Sequence, residues 1–232
     1  MKNNVLISLL LAYCLLLSCA SNEIGNSKDV NQDKIYQDLK IEYTQAEKSA
    51  DIRTQFRFAG EKGTTLVLSK PSTISFDGEV ITVDSSGIVG AFYNTKIEAT
   101  KLLGKHSFVL TDVDGNKKTN ECFVQALEPL NLPTSISAQQ DAILPILPLK
   151  NLHGYIAVQT IKSDSMFMFT QELEPVTDKI IIPAADLKKQ KGAAVTLQCT
   201  LHYTNELQQK TSEGGKISIE YTLQPITLSI KN

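Results

Sequence analysis

Gly104-Lys105-His106-Ser107-Phe108-Val109-Leu110-Thr111-Asp112, Val113-Asp114-Gly115-Asn116 and Lys117-Lys118-Thr119-Asn120-Glu121-Cys122-Phe123-Val124 follow one another in the middle of the chain. Apolar and polar residues alternate on both arms, which is the two-residue period of a half-buried strand. Asp114-Gly115 between them supplies the positive φ angles of a tight turn. The stretch therefore predicts a β-hairpin, with His106 to Asp112 paired against Lys118 to Val124.

The same pattern extends in both directions. Upstream, Leu39, Ile41 and Tyr43 share one strand face, and Ile52, Thr54, Phe56 and Phe58 share the next. Thr64 to Leu68, Thr73 to Phe76, Val80 to Val83 and Ile88 to Tyr93 follow, separated by Glu61-Lys62-Gly63, Asp77-Gly78 and Ser86-Gly87. Short strands at this spacing predict an antiparallel sandwich. Downstream, Glu128-Pro129-Leu130-Asn131-Leu132-Pro133 breaks the pattern, since two prolines cannot sit in a central ladder. A domain junction is expected there, acting as a hinge. Beyond it come Tyr155 to Ile161, Met166 to Thr170, Lys179 to Ile182, Val195 to Tyr203, Ile217 to Leu223 and Gln224 to Ile230. Pro183 to Lys189 reads as a short helical crossing.

The hairpin also resembles the penultimate one of bacterial Ig-like domains, in which a Tyr commonly takes the place of His106 and makes a corner bond at the strand start. His106 departs from that pattern, which leaves the corner bond open, although an imidazole can still donate to a nearby carbonyl. The expected fold class is all-β: two tandem Ig-like antiparallel β-sandwiches, residues 35–127 and 128–232.

The amino terminus is of another kind. One Lys in Met1-Lys2-Asn3-Asn4 precedes Val5 to Leu17, in which Ser8 is the one polar residue. A membrane-spanning helix needs about 20 apolar residues, so this run fits a secretory signal better than a permanent span. Leu16-Leu17-Ser18-Cys19 resembles the lipobox of bacterial lipoproteins, which implies cleavage after Ser18 and lipidation of the Cys19 sulfur. Cys14 competes poorly, because bulky Tyr13 precedes it. Ala20, where inner-membrane lipoproteins often carry Asp, implies by the same resemblance residence at the outer membrane. Ala20 to Lys34 is polar and aperiodic and reads as a flexible tether, about 20 Å long as a coil. The signal would occupy 1–18, the lipidated Cys and tether 19–34.

The 232 residues are 42% hydrophobic and carry 23 basic against 25 acidic side chains. A net charge of −2, or −3 after removal of the first 18 residues, offers no basic face for nucleic acid. His106, His153 and His202 are 47 and 49 residues apart, with no metal-binding spacing. No serine-nucleophile elbow or phosphate loop occurs. Counted as a calcium loop from Asp112, the glycine and glutamate positions hold Lys117 and Phe123, so a turn is the better reading. Enzyme, metal and cofactor are therefore not expected. Cys122 and Cys199 read as buried small hydrophobes, with an inter-domain disulfide as the alternative. Asp164-Ser165-Met166 matches a loose O-glycosylation pattern.

Two segments break the alternation rule. Ile143 to Leu149 is apolar throughout, and Met166-Phe167-Met168-Phe169 is apolar on both faces. They are either packed or exposed; if exposed, Ile146, Leu147, Phe167 and Phe169 form the candidate contact patch. The expected role is a non-catalytic envelope lipoprotein: a binding or structural module held by lipid, with a protein or glycan partner. A glycan-binding surface lipoprotein and a pilin-like subunit are the alternatives, the first weakened by the absence of Trp.

Overall fold

The computed structural model describes residues 24–86, 90–161, 166–190 and 193–231. Cys14, Cys19, Asp164 and Ser165 lie outside the described residues. The first half runs β1 (Ile24–Asn26), β2 (Ile35–Thr44), β3 (Ser49–Phe58), β4 (Thr64–Val67), β5 (Thr73–Phe76), β6 (Glu79–Val80), β7 (Thr82–Ser86), β8 (Gly90–Glu98), β9 (Gly104–Thr111) and β10 (Lys117–Val124). The second runs β11 (Ser135–Ser137), β12 (Ala142–Lys150), β13 (His153–Thr160), β14 (Met168–Glu172) and β15 (Val176–Ile182). A one-turn helix α1 (Ala184–Leu187) then leads to β16 (Ala194–Glu206), β17 (Gly215–Thr222) and β18 (Ile226–Lys231). The protein is an all-β sandwich, as its alternation implies.

The Gly104 to Val124 hairpin is β9 and β10, in register from Lys117 opposite Thr111 to Val124 opposite Gly104. Its arms alternate as the sequence requires: His106, Phe108 and Leu110 face inward, as do Asn120, Cys122 and Val124. With β5 and β6 they form a four-stranded sheet. Ile74, Phe76, Phe108 and Leu110 of that sheet belong to one core cluster with Leu39, Ile41, Ile52 and Phe56 of β2 and β3. In the second half β12 and β15 form a small sheet, and their Leu144, Ile146, Ile180 and Ile182 join the same cluster as Ile156, Leu197 and Leu201.

The halves are not beads on a hinge. β2 pairs in parallel with β17 over eight positions, Gln37 opposite Gly215 through Thr44 opposite Thr222. This ladder joins β1-β4-β3-β2 to β17-β16-β13-β14 within one twelve-stranded sheet. The expected hinge is itself bonded in place, since Leu130 N–H donates to Pro145 O at 2.8 Å and Leu147 N–H to Glu128 O at 2.8 Å. Eight residues of main-chain pairing fix the angle that a linker would have left free. The ladders β2·β17, β1·β4 and β11·β18 are parallel, an addition to the antiparallel plan.

The expectation of a tether reaching to Lys34 is also corrected. β1 pairs with β4, Ser27 is fully buried and its Oγ accepts from Ser69 N–H at 2.8 Å. Asp33 accepts from Ser212 N–H at 3.0 Å, and Lys34 pairs with Glu213 at 2.8 Å. These polar residues bind the body instead of water, which composition alone does not distinguish. Residues 20–23 of the predicted tether lie outside the described residues.

Candidate functional site

The four residues expected to form a contact patch do not come together. Ile146 is 1% exposed and Phe167 6%, so both are core. Phe169 is half-buried against the core, and Leu147 alone is well exposed, at 40%. Alternation holds through Met166 to Phe169, whereas in β12 it holds to Ile146 and breaks at Leu147 and Pro148, where the ladder with β15 shifts register. Met166 and Met168 occupy the solvent positions beside inward Phe167, and Ile143 and Leu147 are the outward residues around Leu144 and Ile146. Methionine, flexible and polarisable, takes places where a polar residue was expected.

Leu147 instead lines a recess with two side chains from the first half. Leu103, 56% exposed, precedes β9, and Phe123, 57% exposed, stands on the outer face of β10 between inward Cys122 and Val124. With Gln125, Ala126, Pro148 and Leu149 they line an open recess of about 450 Å³. Large apolar side chains left singly at a surface are ordinary, whereas three around one depression are not. Phe123 was readable in the sequence, because strand period places it outward with Glu121; Leu103, outside a strand, gave no signal.

Tyr203 holds the two sides of this recess in register. Its ring, 2% exposed on β16, reaches the end of β10, where its hydroxyl donates to Phe123 O at 3.1 Å and accepts from Gln125 N–H at 3.0 Å. Burial pushes its phenol well above the ordinary range. Gln125 in turn spans to β12, its amide bonding both Lys150 O and Lys150 N–H, at 3.1 and 3.4 Å.

A second surface is polar. Glu172, Tyr155, His202, Glu220, Glu42, Asp51 and Lys96 stand opposite one another across successive ladders. His202 and Tyr155 stack at 4.8 Å beside a shallow recess of about 250 Å³. His202, 3.6 Å from Glu220, and Lys40, at 2.7 Å, hold the Glu220 carboxyl down at about 2, against an ordinary 4.5. Lys40 also pairs with Glu42 at 2.8 Å and Lys96 with Asp51 at 3.0 Å. Much of this charge is thus answered within the face, which marks a solvated sheet surface.

Because the Glu220 carboxyl is lowered, its stabilisation is present above pH 4.5 and is lost as pH falls toward 2. Glu220→Gln should flatten that part of an acid-unfolding curve. The difference should be no more than about 1 kcal/mol, since the side chain is one-third exposed and its pair is screened. Equal slopes for the two proteins between pH 5 and 2 would show that the pair carries no linkage.

The remaining candidates are structural. His106, 4% exposed, bonds Leu102 O through Nε2 at 2.6 Å and meets Asp77 Oδ2 through Nδ1 at 2.7 Å, with its ring stacked on Phe76. The imidazole thus donates to a main-chain carbonyl just before the strand. Asp112 spends its carboxylate on the hairpin turn, accepting from Asp114 and Asn116 N–H at 2.9 Å each. Cys122 and Cys199 are free and buried, and desolvation pushes both thiols up to about 12. Among the described residues no group of three or more His, Cys, Asp or Glu side chains could hold a metal ion. No described helix is long and apolar enough to cross a membrane.

No protein-family model matches the chain, and no curated protein matches it in sequence. It is similar to solved structures at low identity. The IG1+IG2 structure of DIP-gamma is 11% identical over 85% of this chain and 98% of that one, with a TM-score of 0.22. SGBP-B of the Bacteroides ovatus mixed-linkage glucan utilization locus, solved with a heptasaccharide, is 12% identical over 90% and 65%, at 0.24. The adhesin InvE of Yersinia pseudotuberculosis is 11% identical over 84% and 61%, also at 0.24. None superposes closely enough to carry residue roles across.

Proposed function

We propose that the protein is a non-catalytic binding module of the bacterial envelope, lipidated at Cys19 and held at the outer membrane. Its contact surface for a protein partner is the recess of Leu103, Phe123 and Leu147. The observation that carries this reading is the exposure of those three side chains around a single depression built from both halves of the chain. Tyr203 and the β2·β17 ladder make that depression rigid, so little ordering entropy is lost on binding. The Tyr155 and His202 rings beside the polar recess cover one another's faces, which leaves less ring surface there for a glycan.

Palmitate labelling of the full chain should vanish in Cys19→Ala; unchanged labelling would remove the lipid anchor from the proposal. A photo-crosslinking residue in place of Phe123 should capture one discrete envelope protein in cells. Leu147→Asp should reduce that adduct about ten-fold, as for a central apolar contact. An adduct insensitive to Leu147→Asp, or a glycan array with a clear sugar signal, would count against the recess.

A further inference from the structure

Among the described residues β15 has a strand on one side only. It pairs with β12, and its other edge faces β14, itself the last strand of the large sheet. Unpaired edges are ready templates for another chain and are usually blunted. Here a single side chain covers the edge: Gln171 of β14 donates to Lys179 O at 2.9 Å and accepts from Ile181 N–H at 2.8 Å. A carboxamide carries the donor and acceptor of a peptide group, so Gln171 stands where one peptide of a neighbouring strand would be. It also shows that Lys179 and Ile181 turn these main-chain groups away from β12. Pro145, opposite Lys179, is therefore asked for no N–H.

Exposed glutamines close other edges of this molecule too. Gln208 and Gln209 bond the outer edge of β10, and Gln125 bonds Lys150. The β15 edge has both open space beside it and acidic side chains on the rim of that space. A recess of about 350 Å³ runs between β14 and β15, with Phe169, Val176 and Ile181 as its apolar lining. Its rim carries Glu172, Glu174 and Asp178 against Lys179, and none of those three carboxylates is ion-paired among the described residues.

We propose that β15 accepts a third strand: an extended, basic segment of a partner protein whose main chain displaces the Gln171 amide. Main-chain bonds to Lys179 and Ile181 supply the pairing, alternate apolar side chains enter beside Phe169, and Lys or Arg side chains meet the three carboxylates. This edge is distinct from the Leu103, Phe123 and Leu147 recess, so loss of either contact leaves the other measurable.

The probe is a synthetic peptide of about ten residues alternating Val and Lys, a common strand length. Added to the full chain, it should raise exchange protection of the Lys179 and Ile181 amides about ten-fold. Gln171→Ala removes the competing amide and should tighten binding about five-fold. A Val and Glu peptide of the same length should not bind, nor should the Val and Lys peptide N-methylated on its pairing side. Equal binding of the N-methylated peptide to the unaltered protein overturns the proposal, because attraction without strand pairing would then suffice. A concentration-dependent dimer protected at these same amides also overturns it, by giving the edge to a second copy.

Discussion

Gly215→Ala is expected to cost about 3 kcal/mol and to lower the unfolding of both halves together, in one transition. Gly215 opens β17 at φ 153°, directly opposite Gln37 of β2. A Cβ there would collide with the Gln37 carbonyl oxygen and with the Leu207 side chain. The carbonyl is main chain and cannot swing aside, so the end of the ladder must separate or the backbone must shift. The neighbouring loop adds to the rigidity, with Thr211 Oγ1 donating to Ile35 O at 2.7 Å. The measurement is thermal unfolding followed by far-ultraviolet circular dichroism, with amide exchange read in β3 and β16. Two transitions, of which only the second moves, would show that β2·β17 does not couple the halves.

What the sequence made legible was local. Period-two alternation located β2, β3, β9, β10, β16 and β17 because one face of each is buried, and a strand of that kind writes its burial into its residues. Asp112, Asp114 and Gly115 identified the hairpin by turn chemistry. The β2·β17 ladder left no such mark, since its partners are 178 residues apart, Gln37 against Gly215, and any alternating strand could have taken either place. Prolines misled for a related reason. Pro129, taken with Pro133 as the mark of a junction, lies in a segment bridged to Ile146, where its missing N–H goes unasked. The polar run from Ile24 to Lys34 reads as solvated because composition cannot tell a hydrogen bond to water from one to Ser69 or Ser212. At the site, an all-apolar run does not say which residues face inward, so Ile146 and Phe167 could be read either way, whereas the alternation of β10 places Phe123 outward.

Tyr203 offers the sharpest separation of packing from polar bonding at the junction. Tyr203→Ala should destabilise the protein by about 4 kcal/mol, the loss typical of a large aromatic removed from a core that cannot collapse. Tyr203→Phe keeps the ring and deletes only the hydroxyl. It should cost about 1–2 kcal/mol, because Phe123 O and Gln125 N–H then lose their partner close to the recess. The two variants also differ in what they do to binding. With the ring kept, β10 stays seated and Phe123 keeps its direction, so the crosslink from position 123 should survive in Tyr203→Phe. In a Tyr203→Ala chain still folded at low temperature, the end of β10 is unsupported and the adduct should fall. Equilibrium urea unfolding gives the two stabilities, and the same crosslink reads the recess. If Tyr203→Phe proves as costly as Tyr203→Ala, the hydroxyl bridge rather than the ring joins the first half to the second. If neither variant changes the adduct, Tyr203 is a core residue without influence on the contact surface.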